Sequence, residues 1–196
     1  MLIRLTRYKQ IAAPAVGLLA ATQCFAASGA PGQTLNLAVS QGSIQIDGIK
    51  LRSGPKAGTL RYISLSAAEK ALGRPQDTYV AGLGVRVYSW PNIGIHLQKG
   101  WRGSEKGKIF KFQVWFDDSY DKAEDKHSGK FHGHVHVEGL DISPETSFDS
   151  IRGELQKLGY HVTEYPSVIS AEKGEIRIFT VGTTNKIERV EAWCLW

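Results

Sequence analysis

Hydrophobic and polar positions alternate along the chain in short runs, and twice they do so in the same order. Gly42-Ser43-Ile44-Gln45-Ile46-Asp47-Gly48-Ile49 and Gly133-His134-Val135-His136-Val137-Glu138-Gly139-Leu140 share one pattern: alternating aliphatics, an acid, a glycine, an aliphatic. A period of two predicts a strand, and acid-glycine predicts a tight turn. After each run the period lengthens to that of a helix. The first helix is expected from about Leu65 to Leu72, with Ser66 and Glu69 at capping-box spacing and Gly73 and Pro75 beyond its end. The second is expected from about Phe148 to Leu158, with Phe148, Ile151, Leu155 and Leu158 on one stripe. Gly153 inside it costs about 1 kcal/mol, so this helix must lean on tertiary packing.

Each helix leads into strands. A short one ends in an aromatic and a proline, Trp90-Pro91 in the first half and Tyr165-Pro166 in the second. The last strand aligns without gaps, Lys108-Ile109-Phe110-Lys111-Phe112-Gln113-Val114-Trp115-Phe116 against Lys186-Ile187-Glu188-Arg189-Val190-Glu191-Ala192-Trp193-Cys194. Glycine-rich hairpin signals stand at Lys99-Gly100 through Gly107 and at Gly182 to Asn185. Each half therefore reads strand, helix, three strands. The expected fold is α+β: two tandem repeats, each with one helix packed on an antiparallel sheet whose opposite face is open. The expected division is 1–26 signal peptide, 27–40 linker, 41–116 first repeat, 117–130 charged connecting loop and 131–196 second repeat.

Alternation also sorts the side chains of the last strands. Phe110, Phe112, Val114 and Phe116 fall on one face and Ile109, Lys111, Gln113 and Trp115 on the other; Val190, Ala192 and Cys194 oppose Ile187, Arg189, Glu191 and Trp193. The apolar faces are the core. Trp115 and Trp193 are then expected on the uncovered face among charged residues. Tryptophan and arginine are enriched in binding hot spots, so Trp115, Trp193, Lys111 and Arg189, with Trp101 in the hairpin loop, are the expected partner-binding residues. The opposing expectation is that the other half, or a second copy in a homodimer, covers this face and the tryptophans are structural.

His132, His134 and His136 recur at period two, and imidazoles on one strand face are candidate ligands for zinc, copper or nickel. The equivalent positions in the first half are Gln41, Ser43 and Gln45, so a merely polar strand face competes with that reading. Other motifs are wanting. The acids from Asp117 to Asp125 have Lys122 where a calcium loop needs glycine, and Ser128 where it needs glutamate. Gly82-Leu83-Gly84 lacks the third glycine of a dinucleotide loop. No nucleophile elbow, Walker loop or zinc-protease motif is present, and Cys194 lies on an apolar strand face. No catalysis and no cofactor are expected.

Composition changes this picture mainly at the N-terminus. At 42% hydrophobic and 22% charged, the 196 residues are those of an ordinary globular protein, excluding low-complexity disorder. Arg4, Arg7 and Lys9 precede an apolar run from Ile11 to Ala21 that is too short to span a bilayer, followed by Cys24-Phe25-Ala26. This is the pattern of an export signal cleaved after Ala26. Lipid anchoring through Cys24 is disfavoured by Gln23 before it. Losing three bases and no acid lowers the formal charge from +5 to +2, too little for nucleic acid binding. The expected location is the periplasm, with no membrane span.

Tandem halves that each pack a helix on an antiparallel sheet, with aromatics on the free face, resemble the architecture of the secreted β-lactamase inhibitor family. Ala71-Leu72-Gly73-Arg74-Pro75 and the Lys-Ile strand ending in tryptophan are similar to an uncharacterised periplasmic domain of the toxin-immunity type. The resemblance implies a non-enzymatic protein that blocks a secreted toxin or hydrolase by occlusion. The competing expectation is a periplasmic metal-binding protein using the histidine row.

Overall fold

A computed structural model describes residues 35–52, 62–100, 107–117, 130–181 and 184–194. In chain order the elements are β1 (Asn36–Ser40), β2 (Ser43–Ile46), β3 (Ile49–Lys50), α1 (Leu65–Leu72), β4 (Asp77–Val80), β5 (Arg86–Trp90), β6 (Ile95–Lys99) and β7 (Ile109–Trp115). They continue as β8 (His134–Val137), β9 (Leu140–Ile142), α2 (Phe148–Lys157), β10 (His161–Tyr165), β11 (Val168–Lys173), β12 (Ile176–Val181) and β13 (Arg189–Trp193). The fold is α+β, mostly sheet. One sheet has five strands in the order β3-β2-β1-β8-β9, and the other has eight, all antiparallel, in the order β10-β11-β12-β13-β7-β6-β5-β4.

From β2 to β7, and again from β8 to β13, the chain runs through a hairpin, a helix and four meandering strands. The sequence reading counts three strands after each helix; four are present, because β4 and the β10–β11 hairpin at Pro166 carry weak hydrophobic alternation. Trp90-Pro91 and Tyr165-Pro166 accordingly close different strands, the second of the four and the first. The stretches 41–116 and 131–196 also do not keep separate sheets. Both hairpins enter the small sheet, and β7 pairs with β13 in the middle of the large one.

The hairpin turns are set by their sequence. Asp47-Gly48 and Glu138-Gly139 all have positive φ, the conformation that two-residue β-turns require. Between the hairpins lies β1, antiparallel to β2 and parallel to β8. Asn36–Ser40, which the sequence reading places in a linker, is thus a central strand; its two buried residues, Leu37 and Val39, are too few to stand out as a pattern.

Both helices fall where expected, with one change. Ser64 caps α1, its hydroxyl accepting from the Ala67 amide at 3.2 Å, while Ser66 only hydrogen-bonds to the Ser64 hydroxyl. Ser147 caps α2 in the same manner. A single core joins the inner faces of both sheets to Ala68, Ala71 and Leu72 of α1 and Phe148 and Leu155 of α2. As the alternation predicts, Phe110, Phe112, Val114, Phe116, Val190, Ala192 and Cys194 are all buried in it. The sheets are also tied by a buried pair: the Arg52 guanidinium donates through both Nη atoms to Glu175, which further accepts the Gly42 amide at 3.1 Å.

Candidate functional site

The pairing of β7 with β13 sets Gln113 opposite Glu191, flanked by Lys111 opposite Trp193 and Trp115 opposite Arg189. All six side chains alternate with the core residues of these strands and so share the opposite face of the large sheet, although Trp193 at its end also packs against the core, its ring 6.0 Å from that of Phe110. The Glu191 carboxylate is their centre. Its Oε1 accepts from Gln113 Nε2 and Arg189 Nε, both at 2.8 Å, and pairs with Lys111 Nζ at 3.0 Å; its Oε2 accepts from Trp193 Nε1 at 2.9 Å. Gln98 extends the chain of amides by donating to Gln113 at 3.0 Å.

Each cation also lies over a tryptophan. Lys111 Nζ stands 4.4 Å from the Trp193 ring centre, with Arg177 at 5.0 Å from the same ring. Arg189 stands 4.9 Å from the Trp115 ring and 4.3 Å from Phe179, while His96 meets Trp115 edge-on at 6.3 Å. The four cation–ring contacts form one layer of rings and charges, each ring offering its negative face to a cation.

Burial makes this layer strongly coupled. Glu191 is 2% exposed and Lys111 9%. Burial alone would raise the Glu191 carboxyl; the charges of Lys111 and Arg189, with the Gln113 amide, hold it below the ordinary carboxylate value instead. Burial also pushes the Lys111 ammonium down, Arg189 and Arg177 add to that, and Glu191 only partly opposes it. Beside the cluster opens a cavity of about 230 Å³ walled by Tyr79, Val87, Gln98, Lys111, Trp115 and Arg189, with Glu191 also on its lining.

Trp115, Trp193, Lys111 and Arg189 therefore come together as the sequence suggests, but not as exposed anchors. Trp115 is only 8% exposed. A tight crossing holds its backbone: the Trp115 amide donates to Gly94 and its carbonyl accepts from the Phe131 amide at 2.6 Å. A Cβ on Gly94 would lie 2.5 Å from Phe131 N and 2.6 Å from Trp115 O, so glycine is required there. The exposed rim consists of partly buried side chains, among them Trp193, Arg189, Phe179 and Arg177. Trp101 lies outside the described residues. Glu191 and Gln113 are the members the sequence reading passes over, although Arg189-x-Glu191-x-Trp193 already places a carboxylate between a cation and an indole on one strand face.

The histidine row is arranged differently. His134 and His136 lie on β8, facing away from the core, while His132 precedes the strand. Asp141 of β9 pairs with His136 in register and engages both imidazoles, His134 Nδ1 at 2.9 Å and His136 Nδ1 at 3.5 Å. The three-residue row is thus a pair bridged by a carboxylate. Among the described residues no group of three His, Cys, Asp or Glu side chains is arranged to hold a metal ion. Cys194 is a buried thiol beside the Ile109 carbonyl. No helix among the described residues is long and apolar enough to cross a membrane. No family model, curated protein or solved structure matches the chain.

Proposed function

We propose that this protein is a non-enzymatic binding module of the periplasm, which grips a secreted toxin or hydrolase through the outer face of the large sheet and blocks it by occlusion. The observation that carries this reading is the layer around Glu191. It spends two tryptophans, two cations and a buried carboxylate on a sheet face away from the core, where ordinary packing asks only for polar residues. A preformed layer of this kind loses little side-chain entropy on binding. Partly buried Trp193, Arg189 and Arg177 are the contacts offered to the partner, with Lys111 and Trp115 fixed beneath them.

The same reading takes the chain as a tandem duplication folded about an axis between Gln113 and Glu191. The gapless alignment of the last strands carries Lys111, Gln113 and Trp115 onto Arg189, Glu191 and Trp193. Exchanging the halves returns the same pairings, with Lys111 on Trp193 becoming Arg189 on Trp115.

The test is retention of a toxin or hydrolase from a secreted fraction by the tagged protein, compared with Trp193→Ala and Arg177→Ala. A hot-spot loss of at least about 2 kcal/mol is expected for Trp193→Ala, with folding verified by circular dichroism. Retention by both folded variants at the level of the unsubstituted protein would overturn the reading.

A further inference from the structure

We propose that the cavity beside Glu191 receives a carboxylate and, resting on the binding reading above, that this carboxylate is an aspartate or glutamate side chain of the partner protein. Charge complementarity carries the argument. Lys111 and Arg189 line the cavity against the one lining carboxylate, Glu191; Glu188, 3.7 Å from Arg189 Nη1, lies outside the lining, so the wall itself carries an excess of positive charge. Glu191 itself offers little further acceptance, since Oε1 already meets three donors and Oε2 the Trp193 indole. Lys111, by contrast, carries three N–H groups, of which one meets Glu191 and another side of the ammonium rests on the Trp193 ring, so a further N–H is open to an incoming acceptor.

Size and lining point to a side chain. At about 230 Å³ the cavity lies below the roughly 300–1,000 Å³ usual for whole small-molecule ligands. Val87, Tyr79 and Trp115 supply an apolar wall suited to a methylene stem, and the two cations supply a charged end. The depressed Lys111 ammonium agrees with this, because a second anion would restore the charge that burial and the two arginines disfavour.

The experiment is a titration of the ¹⁵N-labelled protein with N-acetyl-glutamate-α-methylamide, followed at the Trp115 indole signal, with the glutamine analogue as control. A saturable shift is expected with the glutamate compound and binding at least about tenfold weaker with the glutamine compound. Lys111→Gln should weaken the glutamate response by a similar factor, while Lys111→Arg keeps it and guards against misfolding. No saturable shift, or equal shifts from the two compounds, would overturn the proposal. That outcome leaves the binding face standing, and retention by Trp193→Ala would reject the face without touching the titration.

Discussion

Both sheets present a cluster of ionisable side chains on the face turned from the core, and the two clusters differ chiefly in burial. Around Glu191 the carboxylate is almost inaccessible and its cations are clamped on aromatic rings. Around Asp141 the side chains of His134, His136 and the aspartate are each more than half exposed. Coulomb attraction grows as water is withdrawn, and so does the penalty for a charge left alone. One layer is therefore rigid and unforgiving of substitution. The other is solvated and tolerant.

The largest break in that comparison is expected from Glu191→Gln. It leaves buried Lys111 without its carboxylate and Arg189 with Glu188 alone, 3.7 Å away, and should cost about 3 kcal/mol or more in urea denaturation. Acid should act on the same group. Because its carboxyl is held below the value of an unfolded chain, Glu191 contributes stability that is fully present above the ordinary carboxylate range and is lost as pH falls through its depressed value. The thermal midpoint should thus drop on acidification, with a shallower drop in Glu191→Gln. At Asp141, by contrast, Asp141→Asn should change stability by no more than about 1 kcal/mol in the same denaturation. The smallest effect is expected from zinc: with His132 off the strand and both Nδ1 atoms turned to Asp141, calorimetry should give heat equal to the buffer blank. Saturable binding lost in His134→Ala with His136→Ala would reverse the comparison and make the small sheet the functional one.

Much of this architecture is legible in the sequence wherever a local period speaks. Alternation sorts the two faces of 110–115 and 189–193 correctly but fails at Ile109 and Ile187, which it puts outward and which lie in the core, Ile109 beside a shift of register in β6–β7; the helices are found to within a residue because Ser, Gly and Pro punctuate them. What escapes is pairing. Nothing local says that β7 and β13 are neighbours, that the hairpins leave their helices to form another sheet, or that Asn36–Ser40 joins them. The same blindness affects the sites. Trp115 and Trp193 are placed on the right face, yet their burial depends on Arg189 and Lys111 arriving from the opposite half. Asp141 is overlooked as the partner of the histidines for a related reason: its approach needs the register of β8 with β9.

The position of β1 has a consequence for how the molecule is made. Asn36 pairs with His134 about 100 residues later, so the small sheet closes only after most of the chain is available. Until then β1 keeps a bare edge on the side that β8 will fill, and the first half has no finished core. Neither half should therefore fold alone. Two fragments cut between β7 and β8 should instead find each other and fold in one concerted step, slowly and in proportion to their concentration.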